Sequence, residues 1–196
     1  EIGSGLVGSE MCIRDSCKDW ADFIGPASPA YLSAYCRMQL SHTKTSMSFS
    51  AMLFGPFYFF YRKAWKPAFG FLAAELLLAA PTFIEMLQLS GSALAPAMSA
   101  SALTVFARVC SVLSFVLMLV RGMYGKWLYR KSAADHIRRI QSEFPDAQQR
   151  QAVLRAQGGV SFGAVFLCVL LLSVCGSAFT LLLGPNVDAL IHLVYG

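Results

Sequence analysis

Residues 49–63 read FSAMLFGPFYFFYRK, an aromatic run that carries no charge before its final Arg62 and Lys63. The run is shorter than the roughly 20 residues that a straight membrane-spanning helix needs. Gly55 and Pro56 lie in its middle, and because proline removes a backbone donor they predict a break or bend in any helix there. Two interpretations stay open: a re-entrant or interfacial segment, or a short tilted span. Basic residues on both flanks favour both ends on the cytoplasmic side.

The composition around this run is that of an integral membrane protein. The chain of 196 residues is 56% hydrophobic and only 14% charged, and its charges cluster between long apolar runs. The net charge of +5 is better explained by basic cytoplasmic loops than by nucleic-acid binding, because no basic stripe alternates with stacking aromatics. We therefore expect a multi-pass protein of the cell inner (plasma) membrane, in contact with the lipid bilayer and with no nucleic-acid partner.

Three long apolar segments follow the aromatic run, and each is long enough to span a bilayer. They are residues 68–89, 102–121 and 160–183. Residues 124–157 form the longest polar segment, and Pro145 within it predicts two cytosolic amphipathic helices. The predicted fold class is therefore an all-α membrane protein. It has about three transmembrane helices, a short re-entrant or interfacial aromatic segment and a cytosolic amphipathic helix pair.

Two further regions precede this membrane domain of residues 47–196. Residues 17–46 predict an N-terminal interfacial or cytosolic helix region, with an extended approach over 17–27. Residues 6–16 read LVGSEMCIRDS and are similar to the translation of a transposase adaptor used for sequencing libraries. We expect residues 1–16 to be a disordered, adaptor-derived artefact that replaces a lost natural N-terminus. A genuine disordered tail is the alternative.

Four ionisable residues lie inside the hairpin of the first two spans: Glu75 and Glu85 on one side, Arg108 and Arg121 on the other. A charge at mid-membrane costs about 2.5–3.5 kcal/mol on insertion scales, so such groups tend to pair or to face a cavity. In an antiparallel hairpin, Glu75 lies at the same depth in the membrane as Arg121. Glu85 lies at the same depth as Arg108. These intramembrane charged pairs either line a polar pathway or counter-ion site, or form structural ion pairs that fix the hairpin. The second interpretation is favoured.

Motifs for catalysis, cofactors and metals are absent from the sequence. It contains no GxSxG, HExxH, Walker A or GxGxxG pattern. His42, His136 and His192 are isolated, and outside the adaptor-like residues 1–16 no cysteines have zinc-ligand spacing. The sequence therefore predicts no enzyme, no cofactor and no metal site.

The aromatic run also carries a resemblance to a known family. Six positions follow the pattern FGPxxxxYRK and are called the family box here: Phe54, Gly55, Pro56, Tyr61, Arg62 and Lys63. Residues 23–25, 129–136 and 158–161 match further family elements, whereas Ser50, Ala51 and Tyr58 depart from the pattern. On these residues the chain resembles a bacterial integral membrane protein family of unknown function.

The resemblance implies a membrane fold and supplies no mechanism. Members often follow an N-terminal zinc ribbon or RING-like domain, which here would lie where the adaptor-like residues begin. The predicted function is a non-enzymatic scaffold or sensor that binds a protein partner on its cytosolic face. The alternative is a small transporter or channel component that uses the intramembrane Glu and Arg residues. A membrane enzyme acting on lipid is a weaker third, since no nucleophile or metal set is visible.

Overall fold

The structure is a computed structural model that describes residues 17–91 and 96–182, and every regular element in these two ranges is helical. The expectations for residues 1–16 and for the apolar tail that ends the chain lie outside the described residues. The helices are α1 (17–24), α2 (Ser28–Leu40), α3 (Phe49–Leu53), α4 (Pro56–Tyr61), α5 (Trp65–Leu78), α6 (Ala80–Leu89), α7 (Ala100–Glu143), α8 (Ala147–Gln157) and α9 (Phe162–Leu182), with a 3₁₀ turn at Gly25–Ala27.

Two helical stretches are long and apolar enough to cross a membrane, and a bent pair could form a third span. The two are α7 and the stretch Ala147–Leu181, which includes α9, with apolar windows of mean hydropathy 2.3 and 2.4. Only 11% and 6% of these windows is buried within the protein. Apolar side chains that face outward along a spanning length indicate a membrane protein.

The third candidate span is bent where the apolar pattern predicts one continuous helix over 68–89. α5 and α6 meet at an angle of 42°, and Pro81 lies at the start of α6. Proline has no amide hydrogen, and its ring crowds the carbonyl group four residues earlier, so a bend at this point is expected. The bend turns α6 away from the direction of α5.

The polar segment 124–157 differs from its prediction at its start and agrees with its prediction at Pro145. No boundary separates the predicted span 102–121 from the cytosolic helices, because α7 is one helix of 44 residues. Gly125 does not interrupt it, since this glycine packs directly on α3: a Cβ there would lie 2.6 Å from the Cβ of Ala51. Around Pro145 the helix does end, and α8 begins with the carboxylate of Asp146 accepting from the backbone of Gln149.

The expected extended approach over residues 17–27 is wrong, because residues 17–24 form helix α1. Trp20, Phe23 and Ile24 have helical spacing, and this face packs into the hydrophobic core. Two ion pairs hold the other side of α1 to α8, from Asp19 and Asp22. Tertiary contacts with α7 and α8 thus decide the conformation of a segment whose own helical signal is short.

The hydrophobic core is centred on the second half of α7, and only a few of its buried residues, Ala68 and Cys168, lie in the predicted spans. We call α1, α2, α8 and residues 126–143 of α7 the head region. Its buried side chains include Phe23, Ile24, Tyr31, Tyr35, Met38, Tyr129, Ile137, Ile140 and Leu154, and the same core continues into Phe59 and Phe60 of α4. The family box therefore joins the head region to the membrane helices.

Candidate functional site

Arg121 of α7 is the centre of a polar cluster where three helices meet. It is only 5% exposed, and its Nη1 donates to Oε1 of Glu75 on α5. Its Nε and Nη2 donate to the backbone oxygens of Ala51 (2.9 Å) and Met52 (3.2 Å) near the end of α3. All three nitrogens of the guanidinium are thus bonded. The last carbonyl groups of a helix have no partner within it, so Arg121 supplies one for a helix that stops early.

Gly55 of the family box makes this arrangement possible. Its φ of 62° is rarely adopted by residues with a side chain. A Cβ at this position would also lie 3.4 Å from the guanidinium group of Arg121. α3 ends at Leu53, and Pro56 begins α4 directly after Gly55, so the break between the two helices includes the Gly-Pro step.

The other two intramembrane charges are not brought together. Glu85 on α6 and Arg108 on α7 are both exposed, and they share no ion pair in the part of the chain that the structure describes. The predicted pairing assumed a straight hairpin, in which equal depth implies contact. The hairpin is not straight, because α5 and α6 meet at an angle of 42°. The assumption therefore fails for residues after the bend, among them Glu85.

Arg62 of the family box is buried in a cage of tyrosine rings. It is 9% exposed, and its guanidinium carbon lies 4.6 Å from the ring centre of Tyr31 and 5.7 Å from those of Tyr61 and Tyr129. Within residues 17–91 and 96–182 its Nε and Nη1 donate no hydrogen bond and no carboxylate forms an ion pair with it. Each cation–π contact contributes about 0.5–2 kcal/mol, whereas burying a charge costs several kcal/mol. The cage offsets this cost only in part.

A cavity of about 400 Å³ lies beside Arg62. Its polar wall contains Arg62 and the hydroxyl groups of Tyr31 and Tyr58, which are hydrogen-bonded to each other at 2.7 Å. Its apolar wall includes Phe54 and Phe162, which are 60% and 74% exposed. A pocket of this volume, mostly apolar with a few convergent polar groups, is typical of small-molecule sites.

Burial raises the pKa of three tyrosines near Arg62, namely Tyr35, Tyr58 and Tyr129, so these hydroxyl groups stay protonated at neutral pH. Burial raises the pKa of Tyr58 well above its ordinary value, and the neighbouring Tyr31 raises it further. Burial likewise raises the pKa of Tyr35. None of these three tyrosines therefore supplies a negative charge beside Arg62.

Lys63, the last residue of the family box, binds the end of α8. Its Nζ donates to the backbone oxygens of Gly158 (2.7 Å) and Gln157 (3.1 Å). A cation at the C-terminal carbonyl groups of a helix is favoured by the helix dipole. The backbone N–H of Ser161 donates to the carbonyl of Tyr61 at 2.8 Å. The family box therefore contacts residues 158–161, which read Gly-Gly-x-Ser, although the two segments are about a hundred residues apart in the sequence.

The sequence did not reveal the tyrosine cage or the burial of Arg62. The position of Arg62 at the flank of the aromatic run predicts a cation on the cytoplasmic side, a role that needs no burial. One signal was present: Tyr31 and Tyr35 share a face of α2 at helical spacing. Their contact with Tyr129, nearly a hundred residues later, depends on tertiary packing alone.

Comparison with known proteins gives one match. No curated protein matches the chain, and no solved structure does. The model of the family described as "Protein of unknown function (DUF2628)" matches residues 32–134, which is more than half of the chain. The matched range includes the family box, Glu75 and Arg121; an upstream zinc module stays a prediction. The chain belongs to the DUF2628 family of proteins of unknown function.

Proposed function

We propose that this protein is a non-enzymatic scaffold or sensor of the cell inner (plasma) membrane, whose head region binds a protein partner in the cytosol. One observation carries the proposal: α7 is a single helix from Ala100 to Glu143. Its first part is an apolar, outward-facing span, and its last part supplies Tyr129, Ile137 and Ile140 to the core of the head region. A continuous helix transmits a shift in the membrane to the head without an intervening hinge.

The outer face of α7 in the head region is the proposed partner surface. It is exposed and carries charges of both signs, with ion pairs between Arg138 and Asp135 (2.8 Å) and between Arg139 and Glu143 (3.0 Å). Exposed pairs of this kind contribute little to stability, about 0–1 kcal/mol. Such charges are therefore free to be used for recognition.

The bonding of Arg121 supports a scaffold over a transporter. A residue that guides an ion needs free donors or acceptors, whereas every nitrogen of Arg121 is already bonded within the protein. Transport stays a second candidate because Glu85 is exposed on the bent pair α5 and α6 and Arg108 is exposed on α7. Charges at such positions are costly in lipid unless they reach the interface or a polar path.

Site-specific photo-cross-linking in cells tests the proposed function. A photoreactive residue replaces Ser142, which is exposed at the end of α7, and in a control it replaces Leu170, which is exposed on α9. We expect position 142 to give one discrete product, identified by mass spectrometry as an adduct with a different protein, and position 170 to give none. Adducts only with this chain, or no adduct at position 142, would contradict the proposal.

Ion flux in proteoliposomes separates the two candidates. The scaffold predicts no flux above that of protein-free vesicles. A flux that decreases in Arg108→Gln, while Arg138→Gln leaves it unchanged, would instead support the transporter, because only Arg108 lies in a predicted span. That result would overturn the non-transporting scaffold.

A further inference from the structure

The buried charge of Arg62 has no counter-ion in the described protein. Arg62 is more than nine-tenths buried, it forms no ion pair among the described residues, and two of its nitrogens donate no hydrogen bond there. The buried hydroxyl group of Tyr129 interacts with this guanidinium, but as a neutral group it supplies no counter-charge. Buried polar groups are normally paired, and an exception calls for an explanation. Arg121 shows the contrast, since it is equally buried and fully bonded.

The cavity beside Arg62 gives this charge access to a ligand. Arg62, Tyr31 and Tyr58 form one wall, and Phe57 and Val165 contribute to the apolar remainder. A guanidinium flanked by hydroxyl donors matches a phosphate or carboxylate group. Aromatic and aliphatic walls match a hydrocarbon chain attached to that group.

The cavity also faces the surface that an amphiphile would come from. Phe162 begins α9 and is 74% exposed, and it lies in the helix whose apolar window is almost entirely outward-facing. Ser161, directly before it, is tied to Tyr61 of the family box. The cavity therefore lies at the level where a candidate span meets the polar part of the chain, which is the level of lipid head groups.

The geometry points to a binding site for an anionic amphiphile, a membrane lipid with a phosphate or carboxylate head group. Arg62 and the tyrosine hydroxyl groups hold the head group. The apolar part of the lipid lies against Phe54, Phe57 and Phe162. This inference rests on the proposed sensor function and deepens it by naming the ligand class. The bound head group compensates the charge of Arg62. Lys63 follows Arg62 directly and binds the end of α8, so lipid binding at this site is coupled to the head region.

Lipid binding to the purified full chain in a non-ionic detergent tests this site. The probes are a short-chain phosphatidylglycerol, phosphatidylcholine of the same chain length, and inorganic phosphate. We expect saturable binding of phosphatidylglycerol, measured by native mass spectrometry and by thermal stabilisation, at least tenfold tighter than binding of either other probe. Equal binding of phosphatidylcholine would overturn the anion selectivity and with it the proposal. Phosphate binding as tight as that of the lipid would overturn the assignment to an amphiphile.

Two pairs of variants locate the binding. Arg62→Gln should weaken phosphatidylglycerol binding at least tenfold, whereas Lys66→Gln, at an exposed cation nearby, should leave it unchanged. Val165→Trp should fill the cavity and weaken binding to a similar degree with Arg62 intact, whereas Val169→Trp, exposed one turn further along α9, should not. If Arg62→Gln does not fold, the comparison of Val165→Trp with Val169→Trp still tests whether the lipid binds in the cavity. Unchanged affinity in Val165→Trp would overturn the proposal, and the cross-linking at position 142 tests the proposed function independently.

Discussion

Replacing Arg121 with leucine is expected to destabilise the protein more than any other single change of an intramembrane charge. The substitution leaves Glu75 without its cation and leaves the backbone oxygens of Ala51 and Met52 without donors. Removing one partner of a fully buried ion pair costs about 3–5 kcal/mol, because the other charge stays uncompensated. Arg121 is 5% exposed but Glu75 is 37% exposed, so we expect a loss below that range. Equilibrium unfolding of the purified chain, for example by steric trapping in bicelles, measures this loss directly.

Arg108→Leu is the matched control for Arg121→Leu. It removes an arginine from the same helix, but this arginine is exposed and shares no ion pair with Glu85 in the described residues. We expect no loss of stability, because the substitution removes a charge that is costly in lipid and leaves no partner uncompensated. A double variant with Glu75→Gln and Arg121→Leu should recover part of the loss, since no charge is then left alone. Additive losses, or equal losses for the two arginines, would refute the cluster.

Replacing Gly158 with alanine is expected to separate α1 from the end of α8 within the head region. A Cβ at this glycine would lie 2.1 Å from the backbone oxygen of Phe23 and 2.7 Å from that of Leu154. Backbone atoms cannot rotate away as a flexible side chain can, so α1 or the end of α8 must shift. Overpacking of this kind costs about 1–3 kcal/mol, and we expect the upper end. The apparent melting temperature in detergent, followed by size-exclusion chromatography, should fall by several degrees.

Gly163→Ala is the control for Gly158→Ala. Gly163 lies in α9, and a Cβ there meets nothing within 4 Å. Alanine is favoured over glycine in a helix by about 0.5–1 kcal/mol, so this variant should be as stable as the parent or slightly more stable. If Gly158→Ala matched it, the close approach of α1 to the end of α8 would be wrong.

Features set by local chemistry could be predicted from the sequence, and features set by tertiary contacts could not. Gly55 and Pro56 break the aromatic run because of their backbone properties, and Pro145 separates two helices for the same reason. Helix α1 was missed since its conformation depends on α7 and α8. The single helix α7 was missed because the apolar pattern ends at Arg121, whereas the helix itself continues to Glu143.

The candidate site divides in the same way. In an antiparallel hairpin, the depth of a residue depends on its number alone. This argument predicts that Glu75 lies beside Arg121, and the two residues are in contact in the structure. The same argument placed Glu85 beside Arg108, and there the bend at Pro81 intervenes. Arg62 could not be predicted as buried, because its cage comes from α2, α4 and α7, which are separated by long stretches of sequence.

The distance between spin labels on α7 tests most directly the claim that one helix joins the membrane to the head region. Labels at Val112 and Ser142, both exposed, replace these residues in a chain whose native cysteines are changed to serine or alanine. At 1.5 Å rise per residue an unbroken helix predicts a narrow distribution near about 45 Å in lipid nanodiscs. A broad distribution, or a main distance below about 35 Å, would place a hinge between span and head and contradict the account.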